Sequence, residues 1–185
     1  AGSRFYGSTP DDESAAELIR AAIDQGVAFV ETGANYGPEG LSERRIGLAM
    51  KTHRDGVFLE TKVDERNYDG AMREMERSLE RMNTDHLDLV LHHLLTSQEM
   101  VAEVAAPTGA EKAIRKMMEE GVVKHRGFSA HLPDVAMAGL ERLDGLLERD
   151  QGLGASGDPR EQGRRGVRYG GRGGVRGPLH RRTTA

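Results

Sequence analysis

The chain has 185 residues and a formal net charge of −4, and it contains neither cysteine nor tryptophan. The absence of cysteine excludes disulfides, thiolate metal sites and cysteine nucleophiles. The N-terminus lacks the basic start and apolar run of a signal peptide, and the sequence contains no apolar stretch of about 18 residues. We therefore expect a cytoplasmic protein with no membrane partner.

The charge is divided unevenly along the sequence. Residues 151–185 contain eight Arg against Asp158 and Glu161, a local charge of +6, which leaves −10 for residues 1–150. An acidic body argues against a nucleic-acid groove in that part of the chain. Binding of RNA through the basic segment is a remote alternative, because Tyr169 is its only aromatic residue for base stacking.

Helical and strand patterns alternate from the start of the chain. Apolar residues at helical spacing predict a first helix that ends at Gly26: Ala15, Leu18, Ile19, Ala22 and Ile23. The apolar run 27–30 then predicts a short buried strand that stops at Glu31. A second helix over 42–50 and a strand over 57–62 repeat the pattern.

The alternation continues through the middle of the chain. A helix over 72–82 precedes a buried strand over 87–93, which ends in two histidines. A helix over 110–118 precedes another strand over 122–129. We predict one further helix from about Pro133 to Arg149.

The spacing of the strands indicates the fold class. Polar residues close the four strands at positions 31, 62, 93 and 129. Each step is close to the roughly 30 residues that a βαβ unit needs. Buried strands that alternate with amphipathic helices predict an α/β protein with a parallel sheet and helical cover. An open doubly wound sheet and a closed barrel both fit, although no Gly-x-Gly-x-x-Gly follows the first strand.

The composition changes after about residue 150. Residues 151–185 contain ten Gly and eight Arg without hydrophobic periodicity. We therefore expect two parts, an α/β barrel portion over 1–150 and a disordered Gly/Arg-rich tail over 151–185. A genuine tail and a shifted reading frame are both open as its origin. We expect a shifted reading frame, because GC-rich DNA read out of frame tends to encode such Gly- and Arg-rich sequence.

Four polar side chains stand at or just after predicted strand ends: Glu31, Tyr36, Lys62 and His93. Active sites of parallel α/β barrels lie at this end of the strands. A tyrosine with an ordinary pKa of about 10 is a weak acid, and a nearby ammonium lowers that pKa. A carboxylate can hold the ammonium, and a neutral imidazole can orient a substrate oxygen. Taken singly, each residue has a structural explanation, and one of the two adjacent histidines is expected to pack.

These segments resemble the aldo-keto reductase family. Residues 29–37 with Ser42-Glu43 resemble its Phe-Phe-Asp-Thr-Ala-x-x-Tyr-Gly stretch and downstream Ser-Glu. Residues 59–62 resemble the segment with the catalytic lysine, and residues 85–93 resemble the Asp-x-x-Asp-Leu-x-x-x-His strand. Residues 121–129 resemble Gly-Lys-Val-Arg-x-Ile-Gly-Val-Ser. The resemblance covers roughly residues 3–145 in order.

The resemblance implies a (β/α)8 TIM barrel that reduces aldehydes or ketones with NADPH. Tyr36 would be the general acid, Lys62 would adjust its acidity, and His93 would orient the substrate. Glu31 stands where the family has aspartate and would hold Lys62. Ser129 would contact the nicotinamide carboxamide.

Besides Glu31, two departures from the family pattern matter. Ala130 stands where many members have asparagine, which removes one expected carboxamide contact. The sequence shows four or five βα units, whereas a closed barrel needs eight and about 250 residues. We therefore expect a partial barrel that carries the catalytic half, lacks most of the cofactor half and self-associates through exposed barrel edges. The alternative is a non-catalytic regulatory or interaction protein on the same scaffold.

Overall fold

The computed structural model describes residues 11–143 and 146–148. Within them, five parallel strands form one sheet in chain order. The strands are β1 (Phe29–Glu31), β2 (Phe58–Val63), β3 (Leu87–Leu95), β4 (Val123–Ala130) and β5 (Leu146–Glu148). The predicted disordered tail at 151–185 lies outside the described residues.

Six α-helices alternate with the strands in the described part of the chain. They are α1 (Asp12–Asp24), α2 (Leu41–His53), α3 (Tyr68–Met82), α4 (Gln98–Ala105), α5 (Ala110–Glu119) and α6 (Pro133–Arg142). The first helix begins at Asp12, because the Asp11 side chain accepts a hydrogen bond from the Ser14 amide at 2.8 Å and acts as its N-cap.

The core lies between the sheet and the helices. Alternate strand residues point toward the helices, and these are fully buried: Leu59, Val63, Val90 and Phe128. The helices contribute equally buried apolar residues: Ile46, Met75, Met82 and Ile114. Gly139 allows α6 to approach closely, since a Cβ at this position would lie 2.4 Å from the Phe128 ring. The parallel sheet with helical cover that the strand spacing predicts is thus present in the described residues.

Asp88 joins several elements at the end of the sheet opposite the strand C-termini. Its carboxylate accepts hydrogen bonds from Arg54 and the Leu59 amide, both at 2.9 Å, and from Lys124 at 2.8 Å. Burial acts to raise the pKa of Asp88, but these hydrogen bonds outweigh it and hold the pKa below its ordinary value. The second aspartate of the Asp-x-x-Asp-Leu-x-x-x-His motif is therefore a structural anchor that links β2, β3 and β4.

The prediction of a helix from Pro133 to Arg149 is wrong in its second half. The helix ends at Arg142, and residues 146–148 form β5, which pairs with β4 through Gly127↔Leu146. Leu146 and Leu147 fit a helical stripe and a buried strand equally well, so pairing with β4 decides between them. The helix α4 was not predicted at all.

Candidate active site

Three of the predicted site residues meet at the C-terminal ends of the strands. The Lys62 ammonium lies 5.4 Å from the centre of the Tyr36 ring. The Tyr36 and His93 rings meet edge to face, with 5.7 Å between their centres. A phenol between an ammonium and an imidazole can give up a proton, because the ammonium stabilises the negative charge left on the phenolate oxygen.

The Lys62 side chain is 2% exposed and lies among oxygen atoms. Its ammonium contacts the Glu31 carboxylate and donates to the Thr32 carbonyl oxygen at 3.1 Å. It also lies 3.2 Å from a carboxylate oxygen of Glu60. The longer side chain of Glu31 therefore reaches Lys62 despite its extra methylene. A buried ammonium needs such compensation, because its removal from water is costly.

The backbone after β1 carries Tyr36 into position. The Thr32 amide donates to the Glu60 carbonyl at 3.0 Å, and the Ala34 amide donates to the Lys62 carbonyl at 3.3 Å. This segment therefore continues alongside β2 beyond the last strand residue. Gly33 leaves room for the aromatic ring, since a Cβ there would lie 3.2 Å from the Tyr36 ring carbons.

The Ser42-Glu43 pair at the start of α2 stabilises this segment through hydrogen bonds. The Thr32 hydroxyl donates to the Ser42 hydroxyl at 2.8 Å. Glu43 is fully buried and accepts from Thr61 at 2.7 Å and from Arg81 at 3.2 Å. These contacts tie the ends of β1 and β2 to α2 and α3, so the motif has a structural role here.

The adjacent histidines of β3 face opposite sides of the sheet. His92 is 1% exposed, and its Nε2 lies 3.0 Å from Glu111 on α5. His93 faces Tyr36, and its Nδ1 lies 2.8 Å from Asp64. The geometry therefore assigns His92 to packing against the helices and leaves His93 at the site.

Ser129 lies at the end of β4 and is 1% exposed. Its hydroxyl accepts from the Leu94 amide at 2.7 Å and lies 3.5 Å from the His92 carbonyl oxygen, to which it donates. Leu94 has a φ of +48°, and the β3–β4 register shifts between His92 and Leu95. The hydroxyl thus stabilises an irregularity of β3. Its second lone pair could accept a hydrogen bond from a carboxamide.

Sequence reasoning missed two carboxylates at the site. Glu60 is 2% exposed and pairs with Glu31 in the parallel register of β1 and β2. Strand alternation places residues 58, 60 and 62 on one face, so this signal could have revealed Glu60. Asp64 follows β2 in a loop, and its contact with His93 leaves no periodic signal in the sequence.

Two further charged residues hold the loop that contains Asp64. The amides of Asp64 and Glu65 donate to Glu74 on α3 at 2.8 and 2.9 Å. Burial raises the pKa of Glu74, while these two hydrogen bonds act in the opposite direction. Arg66 donates to the His93 carbonyl at 2.7 Å, and burial lowers the pKa of its guanidinium while the nearby Asp64 carboxylate opposes that change.

Comparison with known proteins identifies the family. The family model described as "Aldo/keto reductase family" matches residues 2–143, so the chain belongs to this family. Aldo-keto reductase YhdN of Bacillus subtilis is 31% identical over 140 residues, which is 69% of this chain and 40% of that protein. Methylglyoxal reductase YeaE of Escherichia coli is 34% identical over 113 residues, 60% of this chain and 37% of that protein. The chain thus spans less than half of these relatives.

Solved structures show the same fold. The holo form of aldo-keto reductase AKR11C1 from Bacillus halodurans has a TM-score of 0.66 at 24% identity, over 76% of this chain and 49% of that one. An aldo/keto reductase from Klebsiella pneumoniae in complex with NADP and acetate has a TM-score of 0.60 at 28% identity, over 74% of this chain and 47% of that one. The predicted fold class, a partial TIM barrel, is confirmed. None of the described helices combines the length and apolar character needed to cross a membrane.

Proposed function

We propose that this chain carries the proton-transfer machinery of an NADPH-dependent reductase of aldehydes and ketones. The observation that carries the proposal is the position of Tyr36, whose ring lies 5.4 Å from the Lys62 ammonium and 5.7 Å from the His93 ring. Tyr36 donates the proton to the carbonyl oxygen, while Lys62 stabilises the phenolate. Glu31 keeps Lys62 charged, and His93 orients the substrate.

The family and the chemistry of the site support NADPH as the cofactor. NADPH, when bound, supplies the hydride that reduces the carbonyl carbon, and the residues of the site complete the reaction with a proton. The residues of the site fit this division, since they include a proton donor and a cation that stabilises the phenolate. Ser129 is the described residue that the family pattern assigns to the carboxamide, and Ala130 contributes no polar side chain there.

A small 2-oxoaldehyde is the first substrate to assay. One relative is named for the reduction of methylglyoxal, which supports this choice for the present chain. The alternative, a non-catalytic regulatory or interaction protein, predicts nucleotide binding without turnover. Both NADPH and NADH should be titrated by fluorescence, and reduction of methylglyoxal should be followed by the absorbance of the reduced nucleotide.

Tyr36→Phe should lower the rate of reduction by about 10²–10⁴-fold, because only the proton donor is removed. Tyr68→Phe is the matched control. Tyr68 also lies near a lysine, with the Lys112 ammonium 5.5 Å from its ring, but it belongs to α3 outside the site. Measurable reduction by the unchanged chain together with equal turnover by Tyr36→Phe would contradict the proposed role.

Three further expectations stay predictions. These are the cytoplasmic location, the lack of nucleic-acid binding and self-association through exposed sheet edges. Size-exclusion chromatography with light scattering would report the oligomeric state directly. A monomer at all concentrations would show that the last expectation is wrong.

A further inference from the structure

Asp64 connects the turn that carries Tyr36 with the histidine opposite it. Its Oδ1 lies 2.8 Å from His93 Nδ1 and accepts a hydrogen bond from Asn35 Nδ2 at 3.0 Å. Asn35 immediately precedes Tyr36 in the chain. We propose that Asp64 is a positioning residue that fixes the proton of His93 on Nδ1 and thereby determines what Nε2 can do in the site.

The chemistry of the two groups determines the direction of this hydrogen bond. An ionised carboxylate only accepts hydrogen bonds, so His93 Nδ1 must be the donor. A neutral imidazole has one ring proton, and its Nε2 is then an acceptor. His93 can donate from Nε2 only when the ring takes a second proton, and the negative charge of Asp64 compensates that imidazolium.

The surroundings hold both partners of this contact. Glu74 accepts from the amides of Asp64 and Glu65, which fixes the loop after β2. Arg66 donates to the His93 carbonyl oxygen and so holds the backbone of β3 at the same place. Within the described residues, the second carboxylate oxygen of Asp64 is buried without a hydrogen-bond partner. The hydrogen bonds of this carboxylate are therefore concentrated on the oxygen that faces His93 and Asn35.

The consequence for the reaction rests on the proposed function. Reduction needs a donor toward the carbonyl oxygen, so the doubly protonated ring is the form that orients an aldehyde. The same ring form serves oxidation of the alcohol, in which the Tyr36 phenolate takes back the proton. Asp64 thus determines that His93 orients the substrate oxygen in its doubly protonated form, whereas the sequence predicts a neutral imidazole in that role.

His92 provides an internal control in the same strand. Its Nε2 lies 3.0 Å from the Glu111 carboxylate, while its Nδ1 is buried without a hydrogen-bond partner in the described part of the chain. His92 should therefore have its proton on Nε2. The two adjacent histidines are expected to show opposite tautomers when neutral.

Long-range proton–nitrogen correlation spectra of the full, nitrogen-15-labelled chain test the proposal, with His93→Gln used for assignment. We expect a protonated Nδ1 at His93 and an unprotonated Nδ1 at His92. Asp64→Ala should remove the preference at His93, Asp64→Glu should restore part of it, and Asn35→Ala should leave it in place. An unprotonated Nδ1 at His93 in the unchanged chain would overturn the proposal. So would an unaltered His93 pattern in a folded Asp64→Ala chain, in which the His92 signals serve as the check on folding.

These spectra are recorded without nucleotide or substrate. A chain that shows the expected tautomers but fails to bind NADPH would contradict the proposed function and leave the role of Asp64 intact. A chain that reduces aldehydes with an unprotonated His93 Nδ1 would contradict only the role of Asp64.

Discussion

Glu31 and Glu60 lie side by side in the parallel register of β1 and β2, and both carboxylates contact the ammonium of Lys62. The family pattern has an aspartate in the position of Glu31. In this chain the ammonium is thus bonded from two neighbouring strands. Either carboxylate can remain as a counter-ion when the other is removed.

This arrangement predicts a non-additive effect on stability. Glu31→Gln and Glu60→Gln should each lower the free energy of unfolding modestly, since Lys62 keeps one partner. The double variant should lose more than the sum, with a coupling of about 0.5–3 kcal/mol, because the buried ammonium then loses both of these carboxylates. Urea unfolding of the four chains measures the coupling.

Lys62→Met in the double-variant background is the matched control for that cycle. It removes the buried charge while keeping a side chain of similar length, so stability should recover. Additive effects without recovery would show that the carboxylates act independently of Lys62.

A second prediction concerns the anchor at the opposite end of the sheet. Asp88→Asn should lower the free energy of unfolding by about 1–3 kcal/mol at neutral pH, because it weakens the hydrogen bonds from Arg54 and Lys124. The folded pKa of Asp88 lies below its ordinary value, so this stabilisation is present above about pH 4. It should be lost as the pH falls through the lowered pKa.

Unfolding of the unchanged chain and of Asp88→Asn between acidic and neutral pH measures that difference. Asp55→Asn is the control, since Asp55 is an exposed residue just before β2. A stability difference for Asp88→Asn that does not shrink in acid would contradict the ionic role of this carboxylate.

A third prediction tests the close approach of α2 and α3. A Cβ at Gly47 would lie 1.9 Å from the main-chain oxygen of Arg81, which cannot move without displacing the helix. Gly47→Ala should therefore lower the free energy of unfolding by about 1–3 kcal/mol. Thermal or urea unfolding followed by circular dichroism measures the change.

Gly70→Ala is the matched control for this substitution. Gly70 is also helical, but the nearest atom to its added Cβ would be the end of the flexible Glu65 side chain, at 2.4 Å. That carboxylate can move away, and alanine is favoured over glycine in a helix by roughly 1 kcal/mol. Equal losses for the two variants would show that contact with the Arg81 backbone is not the cause.

The local sequence pattern was sufficient to predict the strand ends, because the burial of apolar runs determines them. The four strand ends at Glu31, Lys62, His93 and Ser129 follow from apolar runs that stop at polar residues, and the strands of the structure include all four residues. The segment at 146–148 could not be settled in this way, because its leucines suit a helix and a strand alike. Its conformation depends on pairing with β4, which is a long-range interaction.

Long-range interactions also limited what could be predicted of the candidate site. Tyr36, Lys62 and His93 could be placed together because parallel strands end at one edge of a sheet. The carboxylates that contact Lys62 and His93, Glu60 and Asp64, could not be predicted. The contact of Glu60 with Lys62 lies beside Glu31 because of the register between β1 and β2. The contact of Asp64 with His93 joins the loop after β2 to β3. Both contacts depend on distances that sequence spacing alone does not give.

The shortness of β1 has a consequence for native-state fluctuations. This strand pairs with β2 over three residues, whereas β3 is hydrogen-bonded to neighbours on both sides. Short pairings open more readily than long ones, so brief local opening would separate Glu31 from Lys62. Glu60 shares a strand with Lys62 and would stay beside it through such an event, so the ammonium would keep a counter-ion while β1 re-forms.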